Sequence, residues 1–210
     1  MSLTYAAIAG AISYLIGSIP FGWIIARSRS VEIRDHGSGN IGATNVLRVL
    51  GKPWGITVFV LDALKGAAAV GAGMKIASYA QAAPAYAAFY AILAAAFAVI
   101  GHSFPVWLRF KGGKGVATSA GALIAILPVA AVAILIVWLV VFYTTRYVSL
   151  ASIIAAGCLP IVVGILLLLH RTHGSVLFYF CSAMTALVIW RHRSNISRLM
   201  SGREPRFVRK

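Results

Sequence analysis

The chain has 210 residues, of which 60% are hydrophobic, and its 19 Lys and Arg residues against four Asp and Glu residues give a net charge of +15. Such a composition leaves no polar stretch long enough to fold as a separate soluble domain. It does not indicate a nucleic-acid-binding protein either, because the basic residues cluster at the ends of apolar runs, where membrane proteins place them.

Six apolar runs divide the chain, and short polar segments separate them. An uncharged apolar stretch of about 20 residues crosses a membrane as a helix, because each residue adds about 1.5 Å and the hydrocarbon core is about 30 Å thick. The first run is too long for a signal-peptide core and lacks its positively charged start, so we interpret it as a retained span. The runs are residues 3–26, 54–74, 84–101, 115–143, 148–169 and 175–190.

The fourth run decides how many helices cross the membrane. It has Pro128 near its middle, and proline interrupts or kinks a helix. A single crossing here would place the basic segment 191–210 outside, against the positive-inside rule, whereas a turn at Pro128 brings all the basic clusters inside. The sequence therefore predicts an all-α polytopic membrane protein with seven transmembrane helices, the N-terminus outside and the C-terminus cytoplasmic. Residues 1–210 form one integral membrane domain in this prediction.

One of the seven predicted helices, about residues 115–127, has only half the usual length. A half-length helix is tolerated in a membrane only where its end is buried in protein or lines a wet cavity. This requirement points to a functional site near that helix.

A glycine-rich polar segment, "GSGNIGATN" at residues 37–45, follows the first run. Little of it favours regular structure, and its glycines allow successive N–H groups to surround an anion. Arg48 adds a guanidinium suited to phosphate. The alternative is a flexible loop of ordinary turn residues. Hydroxyl and amide donors come from Ser38, Asn40, Thr44 and Asn45.

A second candidate anion site follows the third run, in "GHSFPVWLRFKGGKGVATSAG" at residues 101–121. Its centre, residues 111–115, resembles a phosphate-cradling loop that opens a helix, where free N–H groups and the helix dipole favour anions. The spacing of a P-loop is absent, and no strand precedes it. The alternative is a positive-inside cluster interrupted by glycines.

Two further polar segments lie on the same predicted membrane face, "RYVSLAS" at 146–152 and "RHRSNISRLMSGRE" at 191–204. Ser149 stands at a helix start, where a serine often caps the backbone. His192 and Asn195 are three residues apart and therefore neighbours on one helical face; the alternative is a basic juxtamembrane tail. Four such segments on one face suggest a chemistry with two phosphates beside lipid.

The chain contains little material for metal or carboxylate chemistry. Paired-carboxylate catalysis and divalent-metal sites both need several acidic groups, so we expect no metal site and no cofactor. Asp62 and Lys65 are predicted to pair inside the second run, where the pair either lines a functional cavity or supports a neighbouring helix. His170 and His173 are predicted surface residues of the outer face. The four carboxylates are Glu32, Asp35, Asp62 and Glu204.

These motifs together resemble the bacterial membrane glycerol-3-phosphate acyltransferases that use acyl phosphate as donor. The resemblance covers the chain from end to end in the family's order. It is carried by "GSIPFG" at 17–22, "GSGNIGATNVLR" at 37–48, "FVLDALKG" at 59–66, "GHSFPVWLRFKGGKGVAT" at 101–118, "RYVSLAS" and "RHRSNISRLMSGRE".

The resemblance implies a reaction and a location. A long-chain acyl group passes from acyl phosphate to the 1-hydroxyl of glycerol 3-phosphate, giving lysophosphatidate and phosphate, the first acylation of phospholipid synthesis. It implies a bacterial inner-membrane enzyme with a cytoplasmic active site, no metal, and no need for acyl-CoA or acyl-carrier protein. Its partners would be the two substrates and membrane lipid, with a functional link to an enzyme that produces acyl phosphate.

The resemblance also implies site residues. The predicted catalytic residues are Ser38, Lys114, Ser149, His192 and Asn195. The predicted substrate-binding residues are Gly39, Asn40, Thr44, Asn45, Arg48, Gly112, Gly113 and Gly115. The proton of the attacking hydroxyl goes either to His192, whose ordinary pKa of about 6.5 suits neutral pH, or to a phosphate of the substrate.

Two other functions are alternatives to the predicted enzyme. An anion transporter also places the start of a broken helix against an anion, but we find no internal repeat, and the polar motifs gather at one face and not at the midplane. A non-catalytic membrane scaffold does not explain the glycine-rich loops.

Overall fold

A computed structural model of the chain describes residues 2–172 and 174–207. These residues form ten α-helices and two short 3₁₀ turns and include no strand, which confirms the predicted all-α fold. Within the described part of the chain, five helical segments are long and apolar enough to cross a membrane, or six if one bent pair counts as a single span. The seven crossings and their orientation stay predictions. His173, Arg209 and Lys210 lie outside the described residues.

The helices fall into two compact units, one up to Ile126 and the other from Leu127 onward. The prediction of one integral membrane domain stays untested by this division. The first unit contains α1 Leu3–Ser18, α2 Phe21–Ser28, α3 Ala43–Leu50, α4 Lys52–Tyr79, α5 Pro84–Ser103 and α6 Val116–Ile126. The second contains α7 Pro128–Thr145, α8 Val148–Leu168, α9 Ser175–Arg191 and α10 Arg193–Met200.

The first apolar run forms one candidate span, Leu3–Ser28, as predicted, but its helix is interrupted at Ile19 and Pro20. Helix α1 ends at Ser18, and α2 begins at Phe21 after Pro20. A proline disfavours the helical region for the residue before it, and Ile19 has φ −59° and ψ 115°. In this break the carbonyl oxygen of Ile19 accepts hydrogen bonds from the N–H of Phe21 at 3.2 Å and from Lys65 Nζ at 2.7 Å.

The predicted half-length helix is present, and the break before Pro128 is confirmed. Helix α6 has 11 residues, and α7 begins with Pro128, a favoured first helical residue. Helix α6 packs against α4 with its backbone in contact. A Cβ on Gly121 would collide with the backbone of Ala63, and one on Gly66 with the backbone of Thr118. Small residues at such crossings let membrane helices approach closely.

The glycine-rich segment is less irregular than predicted. Its last three residues, Ala43 to Asn45, form the first turn of α3, so the predicted loop is wrong over this part. The helix is explained by the residues that follow, because Val46 is fully buried in an apolar cluster with Ile33 and Val58. Packing of this short apolar face outweighs the weak helix preference of the polar residues.

Candidate active site

The side chain of Asn45 shapes the glycine-rich loop from within. Its Oδ1 accepts a hydrogen bond from the N–H of Ser38 at 2.9 Å, and its Nδ2 donates to the carbonyl oxygens of Asn40 at 2.9 Å and His36 at 3.0 Å. Only 2% of the residue is exposed. Asn45, predicted to bind substrate, thus holds the loop backbone.

Three N–H groups of the loop are already hydrogen-bonded and are not free to form the predicted anion nest. Gly37 and Gly39 have φ values of +61° and +67°, so the turn does use the left-handed region that favours glycine. The N–H of Gly39 donates to His36 at 3.0 Å, and that of Gly42 to Asn40 Oδ1 at 2.9 Å. These donors, like that of Ser38, are engaged inside the loop. The side chains of Ser38 and Arg48 are exposed and that of Thr44 is half-buried, so these groups can reach a ligand.

The second predicted anion site lies where the loop after α5 enters α6. The loop is fixed to the end of α5, because the N–H of Gly112 donates to the Ser103 carbonyl at 3.2 Å and that of Gly113 to the His102 carbonyl at 3.0 Å. Half-buried Lys114 follows, and α6 begins two residues later. The free N–H groups and dipole of a helix start favour an anion at this position.

Buried hydroxyl groups without partners surround this helix start. Among the described residues, Ser103 Oγ, Thr118 Oγ1 and Ser119 Oγ are buried and accept or donate no hydrogen bond. A Cβ on Gly115 would lie 3.4 Å from Ser103 Oγ and 3.9 Å from Ser119 Oγ, so both hydroxyls flank the junction. Buried polar groups are nearly always hydrogen-bonded, and a group of unsatisfied ones calls for an explanation. A polar ligand at the start of α6 would satisfy them.

A positively charged cavity of about 380 Å³ opens beside these two segments. Arg34 in its wall binds Glu32 through two hydrogen bonds of 2.9 and 3.1 Å, and these lower the pKa of Glu32 to about 2. Two tryptophans at the ends of candidate spans complete a wall that suits an anionic group beside lipid. The lining residues are Trp23, Arg34, Trp107, Leu108, Arg109 and Lys111.

In the second unit, Glu204 gathers the predicted site residues Ser149 and Asn195. Ser149 Oγ and Asn195 Nδ2 each donate to Glu204 Oε1 at 2.7 Å, and Arg198 Nε donates to Oε2 at 2.8 Å. Burial opposes ionisation of this carboxyl, but these hydrogen bonds outweigh it and hold the pKa of Glu204 below its ordinary value. The carboxylate therefore fixes the hydroxyl and the amide in place.

Glu204 was not predicted as a site residue. The available signal was its rarity, because it is one of four carboxylates in the chain and stands alone among basic residues. Sequence spacing gave no reason to connect it with Ser149, which precedes it by 55 residues.

His192 stands at a 57° bend between α9 and α10. It ends one helix while Asn195 lies in the next, so the predicted single helical face is wrong, although both residues are buried. The Nδ1 atom of His192 lies 2.8 Å from the carbonyl oxygen of Val188. Since a carbonyl only accepts, Nδ1 carries the proton and Nε2 is the basic nitrogen of the neutral ring.

Comparison with known proteins identifies the family. The sequence profile described as Glycerol-3-phosphate acyltransferase matches residues 7–202. A glycerol-3-phosphate acyltransferase of Rhizobium etli is 44% identical over 205 residues, which cover 97% of this chain and 92% of the relative.

Two crystal structures of PlsY, described as an integral membrane glycerol 3-phosphate acyltransferase, share the fold. The glycerol 3-phosphate form has a TM-score of 0.84 and 40% identity, covering 97% of this chain and 96% of that one. The lysophosphatidic acid form has a TM-score of 0.81 and 39% identity, covering 97% and 95%. The chain described here therefore belongs to the glycerol-3-phosphate acyltransferase family and is an integral membrane acyltransferase.

Proposed function

We propose that the enzyme transfers a long-chain acyl group from acyl phosphate to the 1-hydroxyl of glycerol 3-phosphate. The products are lysophosphatidate and inorganic phosphate. The observation that carries this proposal is the start of α6, where Lys114 and unpartnered buried hydroxyls stand at a helix N-terminus suited to a phosphate. The glycerol 3-phosphate and lysophosphatidic acid forms of the PlsY neighbour support the acceptor and the product.

In this proposal the first unit binds phosphate groups through two segments. Lys114 and the free N–H groups at the start of α6 hold one phosphate by charge and by hydrogen bonding, while Gly112 and Gly113 fix the loop to the end of α5 and Gly115 leads into the helix. The side chains of Ser38, Thr44 and Arg48 bind in the other segment, and Gly39, Asn40 and Asn45 keep its shape. An acyl phosphate is already activated, so alignment of the substrates supplies several kcal/mol, up to roughly 7–11 in ideal cases. Each donor aimed at developing charge adds about 3 kcal/mol.

The second unit supplies the groups proposed to act on the attacking hydroxyl. Glu204 fixes the hydroxyl of Ser149 and the amide of Asn195, which bind substrate oxygens. The basic Nε2 of His192 takes the proton of the glycerol 1-hydroxyl as the bond to the acyl carbon forms. No metal or cofactor takes part, and an enzyme that makes acyl phosphate supplies the donor.

The choice of donor is tested with purified enzyme in lipid, glycerol 3-phosphate, and either palmitoyl phosphate or palmitoyl-CoA. We expect lysophosphatidate and phosphate only from palmitoyl phosphate, and loss of both in Lys114→Ala. Product from palmitoyl-CoA would show that the proposed donor is wrong. If neither donor gives product with folded protein, and labelled glycerol 3-phosphate enters proteoliposomes, the chain is a transporter.

We also propose that the chain crosses a bacterial inner membrane seven times, with residues before α1 outside and the active site on the cytoplasmic face. The basic residues that follow the first and third apolar runs support this orientation. The test uses Cys158→Ser/Cys181→Ser protein carrying one new cysteine at exposed Ser30 or exposed Gln81. In intact cells, a membrane-impermeant maleimide should label Gln81→Cys and not Ser30→Cys. The reverse pattern would invert the topology.

A further inference from the structure

Three ionisable residues form a buried cluster that the proposed chemistry does not use. Asp62, Lys65 and His102 are 2%, 4% and 5% exposed and lie within candidate spans. Burying charged groups is costly unless they are paired, and ionisable residues inside membrane segments are usually functional. The chain has only four carboxylates, and one of them is here.

The cluster ties together three parts of the first unit. Lys65 Nζ lies 2.7 Å from Asp62 Oδ1, which confirms the ion pair predicted from the sequence, and 2.7 Å from the carbonyl oxygen of Ile19. The same Asp62 Oδ1 lies 3.6 Å from His102 Nδ1. Since Ile19 is in the break between α1 and α2, the cluster joins that break to α4 and α5.

His102 connects the cluster to the loop that carries Lys114. Its carbonyl oxygen accepts the hydrogen bond from the N–H of Gly113 at 3.0 Å. Its ring lies directly against the same residue, because a Cβ on Gly113 would collide with His102 Nε2. The loop thus lies on the imidazole ring, one residue before Lys114.

Helix α4 holds the other side of the same junction. It carries Asp62 and Lys65. Ala63, which lies between them, and Gly66, which follows Lys65, contact the backbone of α6. The loop before α6 and the first turns of α6 are therefore fixed by one helix, through the ion pair on one side and through backbone contact on the other.

We propose that Asp62, Lys65 and His102 are positioning residues that set the place of the loop at residues 112–115 and thereby of Lys114. The inference rests on the proposed function, in which Lys114 binds a substrate phosphate. The Asp62 carboxylate faces the imidazole ring at 3.6 Å, and the ring supports the loop. Lys65 pairs with Asp62 and donates to the Ile19 carbonyl in the break between α1 and α2. None of the three touches substrate.

The test uses the full chain in lipid and begins with Asp62→Asn/Lys65→Met. This double variant removes both charges together. The single variant Lys65→Met would instead leave the Asp62 carboxylate buried without its partner. We expect unfolding close to that of the wild type and a KM for glycerol 3-phosphate raised roughly 10- to 100-fold, because displacement of about 1 Å has effects of this size. Wild-type kinetics in this variant would overturn the proposal.

A double-mutant cycle separates positioning from a merely structural role. Lys114→Arg keeps a cation and measurable turnover but changes the geometry of its contacts. In that background the charge-removing pair should change KM less than threefold, because the contact it positions is already lost. In the matched background Lys75→Ala, an exposed lysine away from this loop, the full change in KM should return. Equal changes in both backgrounds would overturn the proposal.

Amide hydrogen exchange gives a readout that does not depend on activity. In Asp62→Asn/Lys65→Met, the N–H groups of Gly112 and Gly113 should exchange at least tenfold faster, while those in the middle of α5 stay protected. Unchanged exchange at both glycines would overturn the positioning role even if activity falls. A wild-type protein that makes no lysophosphatidate would refute the proposed function and leave this exchange result to decide the role of the cluster.

Discussion

His192→Gln should lower kcat by roughly 10²-fold or more while leaving the KM for glycerol 3-phosphate nearly unchanged. A positioned general base contributes about 10²–10⁴-fold, and the bond between Nδ1 and the Val188 carbonyl makes Nε2 the basic nitrogen. Glutamine retains hydrogen bonding and approximate size but does not take the proton. Steady-state rates over a range of glycerol 3-phosphate concentrations measure both constants.

A second histidine provides the control. His36 has its Nδ1 3.0 Å from the carbonyl oxygen of Glu32, also four residues earlier, but it is exposed. His36→Gln should keep at least half of the wild-type kcat. If His192→Gln also keeps most of its turnover, a phosphate of the substrate is the proton acceptor, and His192 only binds.

Glu204→Gln should lower both the unfolding temperature and the activity. The carboxylate accepts hydrogen bonds from Ser149, Asn195 and Arg198 within a buried site. Glutamine offers one oxygen and places an NH₂ group against a donor, which costs about 2–4 kcal/mol. Thermal unfolding measures the stability. Trypsin cleavage after exposed Arg203 and Arg206, which flank the carboxylate, should be faster in the variant.

The stabilisation that ionised Glu204 gives to the fold decreases as the pH falls. Because the folded-state pKa of Glu204 is below its ordinary value of about 4.3, the native state binds the proton less readily than the unfolded chain. The stabilisation is therefore fully present above about pH 5 and is lost as the pH falls through the lowered value. Glu204→Gln should remove this part of the acid sensitivity. If the unfolding temperatures of the wild type and of Glu204→Gln fall equally at low pH, this prediction is wrong.

Glu32→Gln is the matched control for a carboxylate paired with arginine. The pKa of Glu32 is lowered to about 2, mainly by hydrogen bonding to Arg34, but both side chains remain partly exposed, at 24% and 39%. Solvent screens such pairs, so their contribution to stability is small. We expect its unfolding temperature to stay close to that of the wild type.

Hydrophobicity predicted most of the fold, because the length of an apolar run is set by the thickness of the bilayer. The half-length α6 and the break before Pro128 followed from one proline and the distribution of charge. The break at Ile19 was missed, although Pro20 marked it, because the run around it is uniformly apolar. Helix α3 was missed because burial of Val46 in the cluster with Ile33 and Val58 stabilises it, and composition does not reveal such contacts.

The sequence indicated which residues belong to the candidate site better than it indicated the contacts between them. Motifs pointed to Lys114 and the glycines before α6, because free N–H groups and a cation at a helix start favour an anion. They did not show that Asn45 faces inward or that Glu204 joins Ser149 to Asn195. Both results depend on which side chain turns toward which partner, and that is decided by packing between distant segments.

The shortness of α6 has a consequence for its depth in the lipid. At 11 residues, or about 16 Å, it is too short to match the hydrophobic thickness of a bilayer. Helix α4, with 28 residues, does have such a length, and its contacts through Ala63 and Gly66 carry α6 with it. The depth of Lys114 in the membrane therefore depends on the tilt of α4.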